Sequence, residues 1–242
     1  TVGLGIPGFS SKETGFVTNA NSMWLNNKPF KKDLETALKR EVKLMNDANC
    51  FTLSEAVDGA GKDYQSIFGI IVGTGFGGAL SYKKEIIEGA NQIAGDWGHQ
   101  PLPYPTKEEI ETKINCPSMN CGRPLCAEQF MSGIGFKDVF NQKHNTNFSS
   151  EEIVQLDFDK DPRANFELSL YEDRMARLMA VMIGIFDPDA IILGGGMSNI
   201  DFIYNNIENA LKKYVFTDTL HTKVLKNIHG DSSGVRGAAW LS

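Results

Sequence analysis

Ser66-Ile67-Phe68-Gly69-Ile70-Ile71-Val72-Gly73-Thr74-Gly75-Phe76-Gly77-Gly78 carries the strongest structural signal in the chain. Its first half is a short apolar run closed by glycines, which reads as a strand buried on both faces. Gly73, Gly75 and Gly78 match G-x-G-x-x-G, with Asp96 at a plausible distance for a ribose contact. That motif needs a helix directly after the turn, aimed at a pyrophosphate. Here Ala79–Tyr82 and Glu85–Glu88 read as two short strands joined at Lys83-Lys84, so the dinucleotide reading is weak. A strand–Gly-Thr-Gly–strand unit can still cradle phosphate through backbone N–H groups and the Thr74 hydroxyl. The alternative is a plain tight hairpin with glycines at positive φ, and the turn by itself does not choose. There is no G-x-x-x-x-G-K-[ST], so a nucleotide site would be of another kind than a P-loop.

Outward from this strand the pattern is α/β, with apolar strand-like runs alternating with helical ones. Val2–Ile6 reads as a strand, residues 9–29 as loop with a short extended piece, Lys31–Arg40 as helix and Glu41–Met45 as strand. Asn49–Gly59 reads as a helix with Leu53, Ala56 and Val57 on one face. Residues 91–128 are irregular and hold three of the four cysteines. In the helical second half Leu168, Tyr171, Met175, Leu178, Met179, Met182 and Ile183 recur at helical spacing, up to a stop near Asp187-Pro188. Ala190–Leu193 is a strand leading into Gly194-Gly195-Gly196, and Ser198 or Asn199 is a candidate cap for the next helix.

The 242 residues are 41% hydrophobic and 22% charged with a formal net charge of −6, ordinary for a globular protein. No Lys/Arg block points to nucleic acid. No apolar run approaches the ~20 residues of a membrane span. The first residues lack the basic region of a signal peptide, so a cytoplasmic protein is expected. The chain opens without Met and already in a strand, which suggests a fragment or a processed form.

Four groups of residues could carry chemistry. Asn46 and Asp47 follow a strand, where they suit sugar hydroxyls and a carboxylate base; helix capping is the commoner use of such residues. His99, Cys116, Cys121 and Cys126 suggest tetrahedral Zn²⁺, although the spacing is looser than a usual knuckle and buried free thiols are the alternative. Cys50 reads as core packing. Asp96, His99 and Glu128 would converge on one ligand if a metal folded the segment between them; surface carboxylates are the bland reading. Gly194-Gly195-Gly196 would let a flat ligand approach the backbone, or simply form a strand-to-helix turn.

Taken together these features resemble the ROK family of sugar kinases and sugar-responsive repressors. The order Gly5-Ile6-Pro7-Gly8, Asn46-Asp47, Gly73-Thr74-Gly75, Gly95-Asp96-Trp97-Gly98-His99, Cys121-Gly122 to Cys126 and Glu128, then Asp187-Pro188-Asp189 to Gly196 carries the likeness along the whole chain. Within the family it is greatest to bacterial fructokinases, through Asn19–Ser22, Ser54–Gly59 and His229–Trp240. N-acetylglucosamine kinases are similar and share Asn46–Cys50. The resemblance implies an actin-like (ribonuclease H-like) two-lobed α/β fold. Residues 1–65, rejoined by 232–242, would be the remainder of the small lobe, and residues 66–231 the large lobe with a zinc-binding insertion. It implies ATP-dependent phosphorylation of a hexose, fructose first, with Mg²⁺, structural Zn²⁺ and a homodimer. Asp47 would be the catalytic base and Asn46, Asp96, His99 and Glu128 sugar contacts. Thr74 and Gly75 would meet ATP phosphates, and Gly195 and Gly196 the adenosine. His99, Cys116, Cys121 and Cys126 would hold zinc. The chain departs from the family at Asp96, where Glu is usual, and at Met119 and Leu125, where cysteine and glycine are usual. It also lacks the family's opening Asp-x-Gly-Gly-Thr hairpin, which implies an incomplete N-terminal lobe.

Overall fold

The structure, a computed structural model, describes residues 1–241 apart from 113, 119 and 120. Its centre is a five-stranded sheet built on the strand quoted above, β5 (Ser66–Val72). Preceding it are β1 (Val2–Ile6), β2 (Phe9–Ser10), β3 (Val17–Thr18), helix α1 (Phe30–Leu38), β4 (Val42–Asn46) and helix α2 (Asp47–Val57). After it come β6 (Phe76–Tyr82), β7 (Glu85–Ile87), α3 (Lys107–Glu111), α4 (Ala127–Met131), α5 (Gly133–His144), α6 (Ser150–Phe158) and α7 (Pro162–Phe186). The chain closes with β8 (Ala190–Gly194), α8 (Asp201–Leu211), β9 (Lys223–Lys226) and α9 (Ser233–Ala239).

The sheet order is β7-β6-β5-β8-β9. β5, β6 and β7 are antiparallel neighbours, while β8 pairs parallel with both β5 and β9. The period of two explains why β5 reads as a continuous apolar run. Phe68, Ile70 and Val72 enter the large core with Leu168, Met175 and Met179 of α7. Ile67 points the other way, into a smaller cluster with Phe51 and Ala56 of α2 and Ile192 of β8. β6 follows the glycine turn as a strand, and Lys83 and Lys84 turn the chain with φ of 53° and 67°.

α2 begins two residues before the predicted Asn49 and is buried along Ala48–Ala56 rather than on one face. The reason is its position between two sheets. Gly69 of β5 has no side chain because Thr52 occupies that space, and Gly5 of the parallel pair β1–β4 faces Cys50. α9 returns to the same place: a Cβ at Gly3 of β1 would overlap the Ala238 carbonyl oxygen. α7 starts with Pro162 after Asp161, whose carboxylate accepts from the Arg163 amide at 2.8 Å, and ends at Asp187 in the left-handed region. Neither Ser198 nor Asn199 caps α8. That helix starts at Asp201, and the Ser198 hydroxyl instead donates to the Gly195 carbonyl at 2.7 Å. Among the described residues no helix is long and apolar enough to cross a membrane.

Candidate active site

Three sequence features meet at one end of the sheet. α2 runs antiparallel to β5, since Ala56 packs by Ile67 while Phe51 sits under Gly194, the register partner of Ile71. Its N-terminus therefore projects about one turn, roughly 6 Å, beyond Phe51. That is the end where β5 enters Gly73-Thr74-Gly75 and β8 enters Gly194-Gly195-Gly196. Ligands of open α/β sheets gather at this carboxyl end.

Asn46 is the N-cap of α2. Its Oδ1 accepts from the amides of Ala48 (2.9 Å) and Asn49 (3.4 Å), and its Nδ2 donates to the Gly8 carbonyl at 3.1 Å. Asp47 takes the first helical position, where its Oδ1 also accepts from the Ala48 amide, at 2.8 Å. The residue is accessible to solvent, yet the protein packed around it thins its hydration. Burial raises the carboxyl above the ordinary aspartate range despite those amide hydrogen bonds, and the Asp96 charge adds to the rise. Burial, then the Asp47 charge, also pushes the Cys50 thiol up to about 12, as suits a core cysteine.

The glycine turn closes a tight hairpin between β5 and β6, with Val72 opposite Phe76, but without positive φ. None of Gly73, Gly75, Gly77 and Gly78 adopts that conformation. Gly78, on β6 opposite Ile70 of β5, is instead required by close approach: a Cβ would stand 2.8 Å from the Gly69 carbonyl oxygen and from the Phe68 ring. A Cβ at Gly73 or Gly196 would meet nothing within 4 Å, so the backbone there is open to a ligand. Thr74 is exposed at the tip. Gly195 has φ +82°, and a Cβ on it would stand 2.5 Å from the Val72 carbonyl, which places the two glycine turns side by side. Gly133, whose role the sequence reading missed, donates its amide to the Gly73 carbonyl at 2.8 Å.

Gly95-Asp96-Trp97-Gly98-His99 lies flat on β6. A Cβ at Gly98 would overlap the Phe76 carbonyl oxygen, and Gly95 has φ +87° against Ala79. Trp97 is anchored between Phe68 and Phe76, with ring centroids 4.8 and 5.1 Å away. This leaves Asp96 exposed near Asp47 and turns His99 toward the cysteines.

One donor atom from each of His99, Cys116, Cys121 and Cys126 lies within 4.8 Å of the others. Cys126 Sγ is 3.5 Å from both Cys121 Sγ and His99 Nδ1. Sulfurs around a tetrahedral zinc stand about 3.8 Å apart, so three thiols and an imidazole at these distances fit that ion. Cys116 enters the cluster although it lies three residues before Met119, which is outside the described residues. Burial makes two of these thiols hard to ionise, pushing Cys126 up to about 11 and raising Cys116 as well. Glu128 is buried two residues beyond Cys126, with its amide on the Gly98 carbonyl at 2.9 Å.

The segment between these ligands is tied to α7. Glu109 is buried and receives Arg174 Nε at 2.7 Å and Arg177 Nη2 at 2.8 Å. Arg177 Nη1 also donates to the carbonyls of Pro103 and Tyr104 at 2.8 and 2.9 Å. The sequence reading missed this anchor, although its signal, the Thr106-x-x-Glu109 capping box, is legible.

Comparison with known proteins places this geometry. The profile of the ROK family matches residues 1–242. N-acetyl-D-glucosamine kinase of Vibrio cholerae is 37% identical over 242 residues, covering 100% of this chain and 80% of its own length. The protein of that name from Histophilus somni is 38% identical, with 79% of its length covered. These relatives are not the fructokinases that the resemblance put first. The ROK hexokinase of Thermus thermophilus superposes with a TM-score of 0.83 at 25% identity, covering 98% of this chain and 76% of that one. The fold is thus the actin-like, two-lobed α/β fold of sugar kinases, and the chain belongs to the ROK family.

Proposed function

We propose that this protein transfers the γ-phosphoryl group of Mg-ATP to the primary hydroxyl of N-acetyl-D-glucosamine. The observation that carries the reading is Asp47: a raised, solvent-accessible carboxyl at the end of the sheet where both glycine turns open. Asp47 takes the proton of the attacking hydroxyl as the oxygen bonds to phosphorus, and ADP leaves with the bridging oxygen. The open backbone at Gly73-Thr74-Gly75 holds the phosphates, and Gly195 and Gly196 take the adenosine. Asn46, Asp96, His99 and Glu128 surround the sugar, with Asn46 and His99 acting chiefly through the cap and the metal segment that they build.

N-acetylglucosamine replaces fructose as the favoured acceptor because relatives 36–38% identical over the whole chain carry that name. Zinc held by His99, Cys116, Cys121 and Cys126 is read as structural, stapling the segment that presents Asp96 and Glu128. Residues 1–65 with 232–242 are read as one lobe and 66–231 as the other, supported by the seating of α9 on β1 and α2. A homodimer is proposed from the family resemblance, with sedimentation as its test.

ADP release from Mg-ATP over N-acetylglucosamine, fructose, mannose and glucose tests the function. Turnover fastest with N-acetylglucosamine, and reduced about 10²–10⁴-fold in Asp47→Asn, is expected. Fastest turnover with fructose would restore the earlier acceptor. Sugar binding without turnover by any member of the panel would overturn the kinase reading in favour of a sugar-binding regulator.

A further inference from the structure

Glu128 joins three parts of the site. Its Oε2 accepts the Phe76 amide at 3.2 Å, directly after Gly73-Thr74-Gly75. Its Oε1 lies 3.7 Å from the Cys116 sulfur. Its own amide holds the Gly98 carbonyl at 2.9 Å, beside His99. Glu128 is only 6% exposed, so the bond to Phe76 is shielded from water. The carboxylate sits directly against the turn: a Cβ at Gly75 would lie in ordinary contact with Oε2, at 3.4 Å. The other end of the turn is tied to the next helix, α5, by the Gly133 amide on the Gly73 carbonyl at 2.8 Å.

We infer that Glu128 is a positioning residue for the glycine turn, its carboxylate fixing where Gly73-Thr74-Gly75 presents its backbone to phosphate. The phosphate role rests on the function proposed above; the positioning rests on the contacts. A hydroxyl ligand that engages Glu128 then alters the turn, so sugar and nucleotide affinities change each other by the same factor.

Two measurements on Glu128→Ala and Glu128→Gln test this: hydrogen exchange at the Phe76 amide, and ADP affinity in the absence of sugar. Glu128→Ala is expected to speed exchange at Phe76 and weaken sugar-free ADP binding, each about tenfold. Glu128→Gln keeps an acceptor oxygen and should recover most of both. A residue that only contacts sugar would leave both unchanged, which would overturn the inference. So would faster exchange spread evenly over β5 and β8 in both variants, the mark of general destabilisation. If exchange responds as expected but the unmodified protein binds no ADP, the positioning role stands and the nucleotide reading of the turn falls.

Discussion

Gly237 of α9 rests directly on Cys50 of α2: a Cβ at Gly237 would overlap the Cys50 carbonyl oxygen. The last helix therefore closes onto the helix that carries Asp47. Around this contact the buried Glu55 accepts the Ser233 hydroxyl at 2.8 Å, and Asp58 binds His229 at 3.1 Å and Arg236.

Gly237→Ala is therefore expected to lower stability by about 1–3 kcal/mol, because backbone faces backbone and cannot yield. Gly234→Ala, on the same helix with nothing within 4 Å, should be neutral or slightly stabilising. Denaturant titration of both variants checks the pair, and equal effects would show that the contact is looser than described.

The raised Asp47 carboxyl fixes the sign of two pH effects. The base must be ionised, so kcat/KM should fall with acid through a value above the ordinary aspartate range of about 3.9. For stability the sign reverses. A raised folded value means that the contribution of this group is present at low pH and lost as pH rises through it. Asp47→Asn should accordingly melt higher than the unmodified protein at neutral pH, with the difference vanishing below about pH 3.9. A difference independent of pH would contradict the assignment.

Burial would raise Glu109, but the hydrogen bonds from Arg177 and Arg174 outweigh it and hold the carboxyl at about 2. Its stabilisation is present above the unfolded value of about 4.3 and is lost as pH falls through about 2. Glu109→Gln should cost about 3–5 kcal/mol, because buried Arg174 loses its carboxylate while Arg177 keeps only Asp173, at 3.1 Å. The loss should be largest near neutral pH and shrink in acid; thermal melts across that range read it directly.

Metal analysis of the purified protein should give about one zinc per chain, with a lower melting temperature after chelation. Cys121→Ser should lose most of the metal. Cys116→Ser should do the same, because its sulfur stands in the cluster in place of a cysteine at position 119. Full zinc retention in Cys116→Ser would remove it from the ligand set.

The linear pattern was enough for β5, the hairpin after it, α7 and its stop at Asp187. Each depends on a local period or on a residue that forbids continuation, and local rules are written along the chain. Asn46 and Asp47 were visible as a pair with two possible uses, and the fold gave Asn46 the cap while leaving Asp47 open beside Asp96. The burial of α2 on every side was not legible, because its second partner is a strand pair and a helix from opposite ends of the chain. The same holds for the cysteine cluster. Spacing alone was ambiguous, and Cys116 reaches His99 only because Gly98 lets the segment lie on β6 and Glu109 pins it to α7. Hydrophobic periodicity reports which side of an element faces inward, but which distant groups share that interior is set by packing, and no local preference encodes it.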